Sequence, residues 1–134
     1  MTKDVFEFPV VGMNYIKSSG TIVDFLEEGD VLKLEADPEN IFDVDAIKVI
    51  SLKLNKEIGY VPNKGYSCRH CWEPAPADED ACPKCNQTWD YKVKGGLATR
   101  LAQRKCHTKN YACFIFNKDS SNKYAPVTVK LIVE

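Results

Sequence analysis

The sequence predicts a mainly β protein, a small barrel of about six strands with one or two short helices. Six short segments are rich in β-branched and aromatic residues and are separated by turn residues, and a single segment has helical spacing. Four of the six cysteines form two Cys-x-x-Cys pairs, which adds a metal-binding module. At 134 residues, the chain is long enough for one domain with a small appendage.

Six segments have the composition of strands. The clearest has Leu32 and Leu34 alternating with charged residues, as in a strand with one buried face. The polar run 118–123 predicts a hairpin between the last two strands. A closed barrel is expected because closure leaves no unpaired strand edge. The predicted strands are residues 5–13, 30–36, 45–52, 56–62, 111–117 and 124–133.

Residues 97–106 are predicted to form a helix, because their apolar side chains recur three and four positions apart. This helix lies within residues 91–109, a segment with six basic side chains and no acidic one. Two interpretations of the segment stay open: a solvated helix face, or a patch facing phosphates beside a binding groove. The six basic residues are Lys92, Lys94, Arg100, Arg104, Lys105 and Lys109.

The two cysteine pairs, Cys68 with Cys71 and Cys82 with Cys85, predict a zinc site. Each pair places two thiolates on one tight turn, and two such turns complete a tetrahedron around one ion. Because all four ligands come from the protein, the site is predicted to be structural. Iron in the same site is a chemical alternative, whereas a thioredoxin-like redox pair is disfavoured by the absence of a βαβ pattern.

The residues around these cysteines are predicted to form an inserted module. Loop 72–81 has two prolines and four acidic residues, so metal binding has to supply the energy that orders it. The predicted domains are a barrel made of residues 1–65 and 95–134, and a module made of residues 66–94.

The cysteines and tryptophans outside this set of four are predicted to be mainly structural. Cys113 lies in an apolar segment and is expected to be buried. Cys106 is adjacent to His107, but neighbouring residues on a helix point in different directions, so a nucleophilic pair is not expected. Trp72 and Trp89 are expected to pack on the knuckles or the main body, with exposed stacking platforms for bases as the alternative.

Charge and hydropathy exclude several classes of protein. No run approaches the roughly 18 apolar residues of a membrane span. The N-terminal residues are acidic where a signal peptide is basic and then apolar, so a cytoplasmic protein is expected. The net charge of −1 argues against a protein that coats nucleic acid non-specifically, and any such contact should be local.

Four stretches of the sequence resemble the HIRAN domain, a module of fork-remodelling Swi/Snf-type ATPases that also occurs as a free-standing bacterial protein. They are VVGMNYI (10–16), EGDVLKLEADPENIFDVDAIKV (28–49), IGYVP (58–62) and GLATRLA (96–102). The resemblance implies a six-stranded barrel related to the OB and SH3-like folds. The inserted four-cysteine zinc ribbon is not part of the family pattern.

The resemblance also implies a binding site. Eukaryotic members of the family bind the 3′ end of single-stranded DNA in a pocket that contacts the terminal bases and the 3′-hydroxyl. Lys64 or Asn63 is expected near the family's basic contact, and Lys64 or Lys94 could pair with a phosphate. The positions of this chain that match the pocket are Asn14, Tyr15, Asn40, Phe42, Asp43 and Tyr60.

These residue types suit that chemistry, although each also has a structural interpretation. Tyr15 and Phe42 could stack on bases, or they could be core aromatic residues, as could Tyr60. Asp43 could accept a hydrogen bond from a 3′-hydroxyl and repel a 3′-phosphate. Asn40 and Asp43 could instead form only Asx-turns.

The predicted function is therefore recognition of single-stranded nucleic acid, DNA ahead of RNA, with a 3′ end as the ligand and a structural zinc site. The alternative is a protein-interaction adaptor, since the acidic loop 78–80 could meet a basic partner. The sequence has no phosphate-binding glycine loop, HExxH or GxSxG, so no enzyme is predicted. A metal bound by Asp43 and Asp45 is the remaining catalytic possibility, and a separate ATPase or nuclease is the expected catalytic partner.

Overall fold

The computed structural model describes residues 4–13, 19–122 and 125–134. A short 3-10 turn, Cys106–Thr108, follows the second helix. In chain order the elements are β1 (Asp4–Pro9), α1 (Ser19–Phe25), β2 (Leu32–Ala36), β3 (Ile47–Ser51), β4 (Lys56–Tyr60), β5 (Tyr66–Cys68), β6 (Lys92–Lys94), α2 (Leu97–Gln103), β7 (Tyr111–Lys118) and β8 (Val127–Val133).

The first sheet is antiparallel, with the strand order β1–β8–β7. Alternate residues of the central strand β8 are buried, because successive side chains of a strand point to opposite faces. Val129 of β8 is opposite Phe8 of β1 and Ile115 of β7, and all three side chains are buried. The buried face of this sheet therefore forms one side of the core.

The second sheet has the order β2–β3–β4 and is also antiparallel. Single bridges join it to the first sheet, at Val11 with Tyr60 and at Val31 with Phe114. At the first bridge, a Cβ on Gly59 would lie 2.6 Å from the Val11 carbonyl oxygen. Only glycine allows the two backbones to approach so closely at this junction.

The mainly β class with six principal strands is confirmed, but the prediction of a closed barrel is wrong in detail. Within the described ranges, the six strands form two three-stranded sheets, and strand pairing between the sheets is limited to single bridges. The predicted strand 5–13 ends early, at Pro9, although the N–H of Val10 still donates to the Val127 carbonyl at 2.9 Å. The chain beyond Pro9 therefore reaches β4 with one bridged pair in place of a full strand.

The core lies between the two sheets and is covered by both helices. Ala98 and Leu101 of α2 are buried in it together with Ile22 of α1, which confirms the apolar stripe predicted for the later helix. The predicted helix 97–106 ends at Gln103, and Lys105 has a φ of 56° at the start of the 3-10 turn. None of the helices in the described ranges is long and apolar enough to cross a bilayer.

Between β4 and α2, the chain forms a small ribbon with its own apolar cluster. β5 and β6 pair antiparallel over three residue pairs, and Cys68 is opposite Lys92 at the end remote from α2. Buried Tyr91 packs there with Cys68, Ala75 and Cys82, and its hydroxyl donates a hydrogen bond to the Glu79 carbonyl at 2.8 Å. This cluster is separate from the main core.

Cys106 and Cys113 are both buried in the main core, as expected for Cys113. Burial raises the pKa of Cys113 to about 12 and also raises that of Cys106. The thiolate is the reactive form, so neither thiol should react at pH 8 in the folded protein.

With the thiol reagent DTNB we expect no reaction of the metal-loaded protein, four reactive thiols after chelation, and all six after denaturation. Five or six reactive thiols before denaturation would contradict this assignment.

Candidate metal centre and nucleic-acid interface

The four cysteines of the two pairs converge at the end of the ribbon. All of their sulfur atoms lie within 4.8 Å of one another. The Sγ atoms of Cys68 and Cys85 are 3.7 Å apart, and those of Cys71 and Cys82 are 3.6 Å apart. Four sulfurs at about 2.3 Å from one tetrahedral ion are about 3.8 Å apart, so the residues fit a metal ion of this kind. The predicted four-cysteine cluster is confirmed.

The surroundings of the sulfurs also suit a cation. The backbone N–H of His70 donates to Cys68 Sγ at 3.4 Å, and backbone N–H groups, chiefly that of Cys85, lower the pKa of Cys82 to about 7. Burial raises the pKa of Cys71 to about 12. A coordinated cation would hold the thiols as thiolates. His70 is exposed and lies outside the cluster.

A second feature, the pocket, is a hollow of about 430 Å³ between the β2–β3 connection and the start of α2. It brings together three chain segments that are distant in sequence: the connection at 41–45, the residue Asn63, and the segment 94–99. The lining residues are Ile41, Phe42, Asp43, Val44, Asp45, Asn63, Lys94, Gly95 and Thr99.

The β2–β3 connection is built by its own polar side chains. Asn40 Oδ1 accepts the backbone N–H groups of Phe42 and Asp43, at 2.9 and 3.1 Å. Asp43 Oδ1 accepts the N–H of Asp45 at 2.9 Å. Asn40 and Asp43 therefore both form Asx-turns, which is the structural interpretation that the sequence offered for them. Asn40 is not among the residues that line the pocket, whereas Asp43 is.

Asn63 connects the pocket to α2. Its Nδ2 donates to Asp43 Oδ2 at 2.6 Å, and its Oδ1 accepts the N–H groups of Gly96 and Thr99 at 2.7 and 2.9 Å. The first N–H groups of a helix have no partner within it, so Asn63 satisfies two of them from a distant segment. Thr99 Oγ1 in turn donates to Asp45 Oδ2 at 3.1 Å. The walls of the pocket are thus hydrogen-bonded to each other.

Large apolar side chains of the connection point into solvent. Ile41 is 88% exposed, Phe42 is 92% exposed and Val44 is 74% exposed. The interpretation of Phe42 as a core aromatic residue is therefore wrong. Contiguous exposed apolar side chains beside polar ones are typical of binding surfaces, and a phenyl ring so placed can stack on a base.

Of the other residues predicted for the pocket, only Lys94 lines it among those that the structure describes. Asn14 and Tyr15 lie outside the described residues. Tyr60 is half-buried, and its hydroxyl is 3.4 Å from Asp37 Oδ2, to which it donates a hydrogen bond. Burial, then the charge of Glu57, raises the pKa of Tyr60, so the hydroxyl stays protonated at neutral pH. Lys64 and Lys94 are both exposed, but only Lys94 lines the pocket.

Three of the six basic side chains of segment 91–109 form hydrogen bonds with other residues of the chain. Arg104 Nη2 is 2.8 Å from Glu73 Oε1 and 3.3 Å from the Cys71 carbonyl oxygen. Arg100 donates to Ser67 Oγ, and Lys92 Nζ donates to the Ala77 carbonyl at 2.8 Å. Arg100 and Arg104 tie α2 to the cysteine ribbon, whereas Lys92 is bonded within the ribbon, so the segment does not form a continuous phosphate-facing patch.

The two tryptophans differ in solvent exposure. Trp72 is half-buried, as predicted, and has a φ of 55°. Trp89 is 85% exposed, so the prediction that it packs is wrong for this residue. Trp89 is not a member of the small cluster, which consists of Ala75, Tyr91 and the four cysteines.

Several pocket residues have no signal in the sequence. Thr99 and Gly95 reach the pocket only because the chain returns after the ribbon, and the sequence around Asp45 suggests only metal chemistry. Ile41 and Val44 resemble ordinary apolar residues of a buried segment. Their position beside a DPEN-type turn, with strong turn-forming residues on one side, is the one signal that could have marked them as exposed.

Comparison with known proteins agrees with this arrangement. The family model of the HIRAN domain matches residues 3–68. The chain therefore contains a HIRAN domain, and such domains are known as DNA-binding modules. The matched region includes the whole β2–β3 connection and ends at the first cysteine of the metal cluster. None of the curated proteins searched matches the chain.

Two crystal structures share the fold. A protein from Lactobacillus plantarum has a TM-score of 0.54 at 15% identity, with 99% of this chain and 100% of that chain covered. The HIRAN domain of human HLTF has a TM-score of 0.51 at 15% identity, with 97% of this chain and 76% of that chain covered. At this identity the two comparisons support the fold alone.

Proposed function

We propose that this protein binds single-stranded DNA at a 3′ end, with the pocket as the binding site and a structural zinc ion in the four-cysteine cluster. The observation that carries the proposal is that three residues of suitable chemistry, exposed Phe42, acidic Asp43 and basic Lys94, line one hollow. The presence of a HIRAN domain supports the same ligand class.

Each group has a distinct role in this proposal. Phe42 stacks on a terminal base, a contact worth about 1–3 kcal/mol. Lys94 pairs with a backbone phosphate. Asp43 accepts a hydrogen bond from the terminal hydroxyl, and its orientation is held by Asn63 and by the N–H of Asp45. A terminal phosphate at the same position would be repelled by the carboxylate.

The test compares oligonucleotides that differ only at the 3′ terminus. We expect the 3′-hydroxyl strand to bind about tenfold more tightly than the 3′-phosphate strand, because a charge-assisted hydrogen bond is replaced by like-charge repulsion. In Asp43→Asn, which keeps the size of the side chain, the preference should fall to less than twofold. Fluorescence anisotropy at two salt concentrations measures both affinities.

Asp119→Asn is the matched control, because Asp119 also accepts hydrogen bonds within its own turn but does not line the pocket. It should retain the full preference. Equal binding of both strands by the unmodified protein would overturn the proposal. The expected salt dependence is shallow, since an end-binding pocket neutralises few phosphates.

A protein-interaction adaptor is the second candidate. It is favoured by one observation, the exposed side chain of Trp89 on the same ribbon as the exposed acidic residues 78–80. An aromatic and acidic surface suits a basic protein segment. Partners that remain bound after nuclease treatment, and are lost in Trp89→Ala, would support this function.

A further inference from the structure

The cysteine ribbon is a wall of the pocket as well as a metal site. β5 and β6 form only three residue pairs: Cys68 with Lys92 at one end, Ser67 with Val93, and Tyr66 with Lys94 at the other. The first end carries a metal ligand, and the second end places Lys94 and the following Gly95 in the lining of the pocket. The metal ligand Cys68 and the pocket residue Lys94 are therefore only two residue pairs apart along the ribbon.

A ribbon of this size does not hold itself together, because an isolated two-stranded hairpin is marginally stable in water. Its contacts come from the two ends. At the cysteine end, the N–H of Cys68 bonds to the Glu73 carbonyl and that of Arg69 to the Tyr91 carbonyl, at 2.9 and 2.8 Å. Metal binding supplies the ordering energy of such knuckles.

At the pocket end, the ribbon is joined to α2. Buried Ser67 donates from Oγ to the Gly95 carbonyl at 2.8 Å and accepts from Arg100. Gly95 N–H bonds to the Gly65 carbonyl at 2.9 Å, and a Cβ on Gly96 would lie 2.9 Å from the Lys64 nitrogen. The backbone here is so close-packed that a displacement of β5 moves the Lys94–Gly96 segment with it.

A second connection runs along α2. Arg104, at the end of the helix, bonds to the Cys71 carbonyl of the first knuckle, while the N–H groups at the start of the same helix bond to Asn63. Asn63 holds Asp43. Both walls of the pocket are therefore connected to the metal cluster through hydrogen bonds and short stretches of chain.

We infer that metal binding at the four cysteines and ligand binding in the pocket are thermodynamically coupled, with Ser67 and Arg104 as positioning residues that transmit the ordered state of the ribbon to Lys94 and Gly95. The inference rests on the proposed function for the identity of the ligand. Coupling of this kind is reciprocal, so the oligonucleotide should slow the loss of zinc to a chelator by the factor by which zinc tightens oligonucleotide binding, if zinc association is unaffected.

The binding test uses a cycle with Lys94→Ala, in zinc-loaded and zinc-depleted protein. In loaded protein we expect the substitution to weaken binding of the 3′-hydroxyl oligonucleotide about fivefold and to reduce the salt slope by about 0.7, the value for one phosphate of a single strand. In depleted protein the same substitution should have less than a twofold effect, because Lys94 is no longer held at the pocket. Equal effects in both forms would overturn the inference. Lys33→Ala, an exposed lysine of β2, is the control and should change neither form.

A measurement without nucleic acid separates this inference from the proposed function. On removal of zinc, amide hydrogen exchange of Gly95 should accelerate at least tenfold, while the amides of β8 keep their protection. Unchanged exchange at Gly95 would overturn the coupling. Loss of protection throughout β8 would also overturn it, since the metal would then hold the whole fold. If the loaded protein binds no oligonucleotide, the proposed function fails, and the exchange result alone decides whether the metal positions the pocket wall.

Discussion

Replacement of Cys82 by serine is expected to abolish stable metal binding and to release the ribbon from its ordered state. Cys82 is fully buried, and its sulfur lies 3.6 Å from that of Cys71. Structural zinc in knuckle peptides is bound with about 10–16 kcal/mol, so one of four ligands accounts for about 2.5–4 kcal/mol, or roughly a hundredfold to a thousandfold in affinity. Metal content per chain after dialysis against a weak chelator measures the loss.

Cys113→Ser is the matched control for this experiment. Cys113 is also buried, but it lies in β7 and outside the metal cluster. It should keep its full metal content even though its stability falls, because a hydroxyl is then buried in an apolar core. Limited proteolysis should cleave Cys82→Ser within residues 66–94 and leave the control intact. Full metal retention by Cys82→Ser would contradict the four-thiolate assignment.

Metal analysis of the unmodified protein decides between the two ions that fit the cluster. A colourless protein with one zinc per chain is expected, whereas four-thiolate iron absorbs strongly in the visible range.

Replacement of Asn63 by alanine is expected to reduce the free energy of unfolding by about 3 kcal/mol. The change leaves the N–H groups of Gly96 and Thr99 without an acceptor at the start of α2, and it removes the donor that holds Asp43. Urea denaturation measures the stability, and the preference for a 3′-hydroxyl should be lost in the same variant. Asn117→Ala, at an exposed position of β7, is the control and should be nearly neutral.

Asn63→Asp separates the two roles of Asn63, as acceptor for the helix N–H groups and as donor to Asp43. The substitution keeps an oxygen for the helix N–H groups but places a carboxylate oxygen where Nδ2 now lies 2.6 Å from Asp43 Oδ2. Like charges so close raise a carboxyl pKa in the folded state, so the variant should be less stable than the natural protein at pH 7. The difference should shrink as the pH falls towards about 4, where one carboxyl becomes protonated. Stability of Asn63→Ala within 0.5 kcal/mol of the natural protein would contradict this account of the pocket.

Local patterns account for the features that sequence analysis predicted well. The alternation of Leu32 and Leu34 with charged residues is a property of a few consecutive positions, and the structure has β2 there with those two leucines buried. The cysteine pairs are similar, because the spacing within each pair sets the geometry of one turn. The DPEN-type connection is recognisable through its resemblance to a family, and the structure places Phe42 and Asp43 at the pocket.

What local patterns leave open is where separate segments meet. Asp43 and Asn63 are 20 positions apart, and Asn63 and Thr99 are 36 apart, yet two hydrogen bonds join them. Nothing in the composition of residues 91–109 indicates that Arg104 binds Glu73 in place of a phosphate. Such pairings depend on the path of the chain through both sheets and back from the ribbon. Short-range spacing specifies turns, strands and ligand pairs, whereas the pocket exists only because packing of the core brings three distant segments to one edge of the fold.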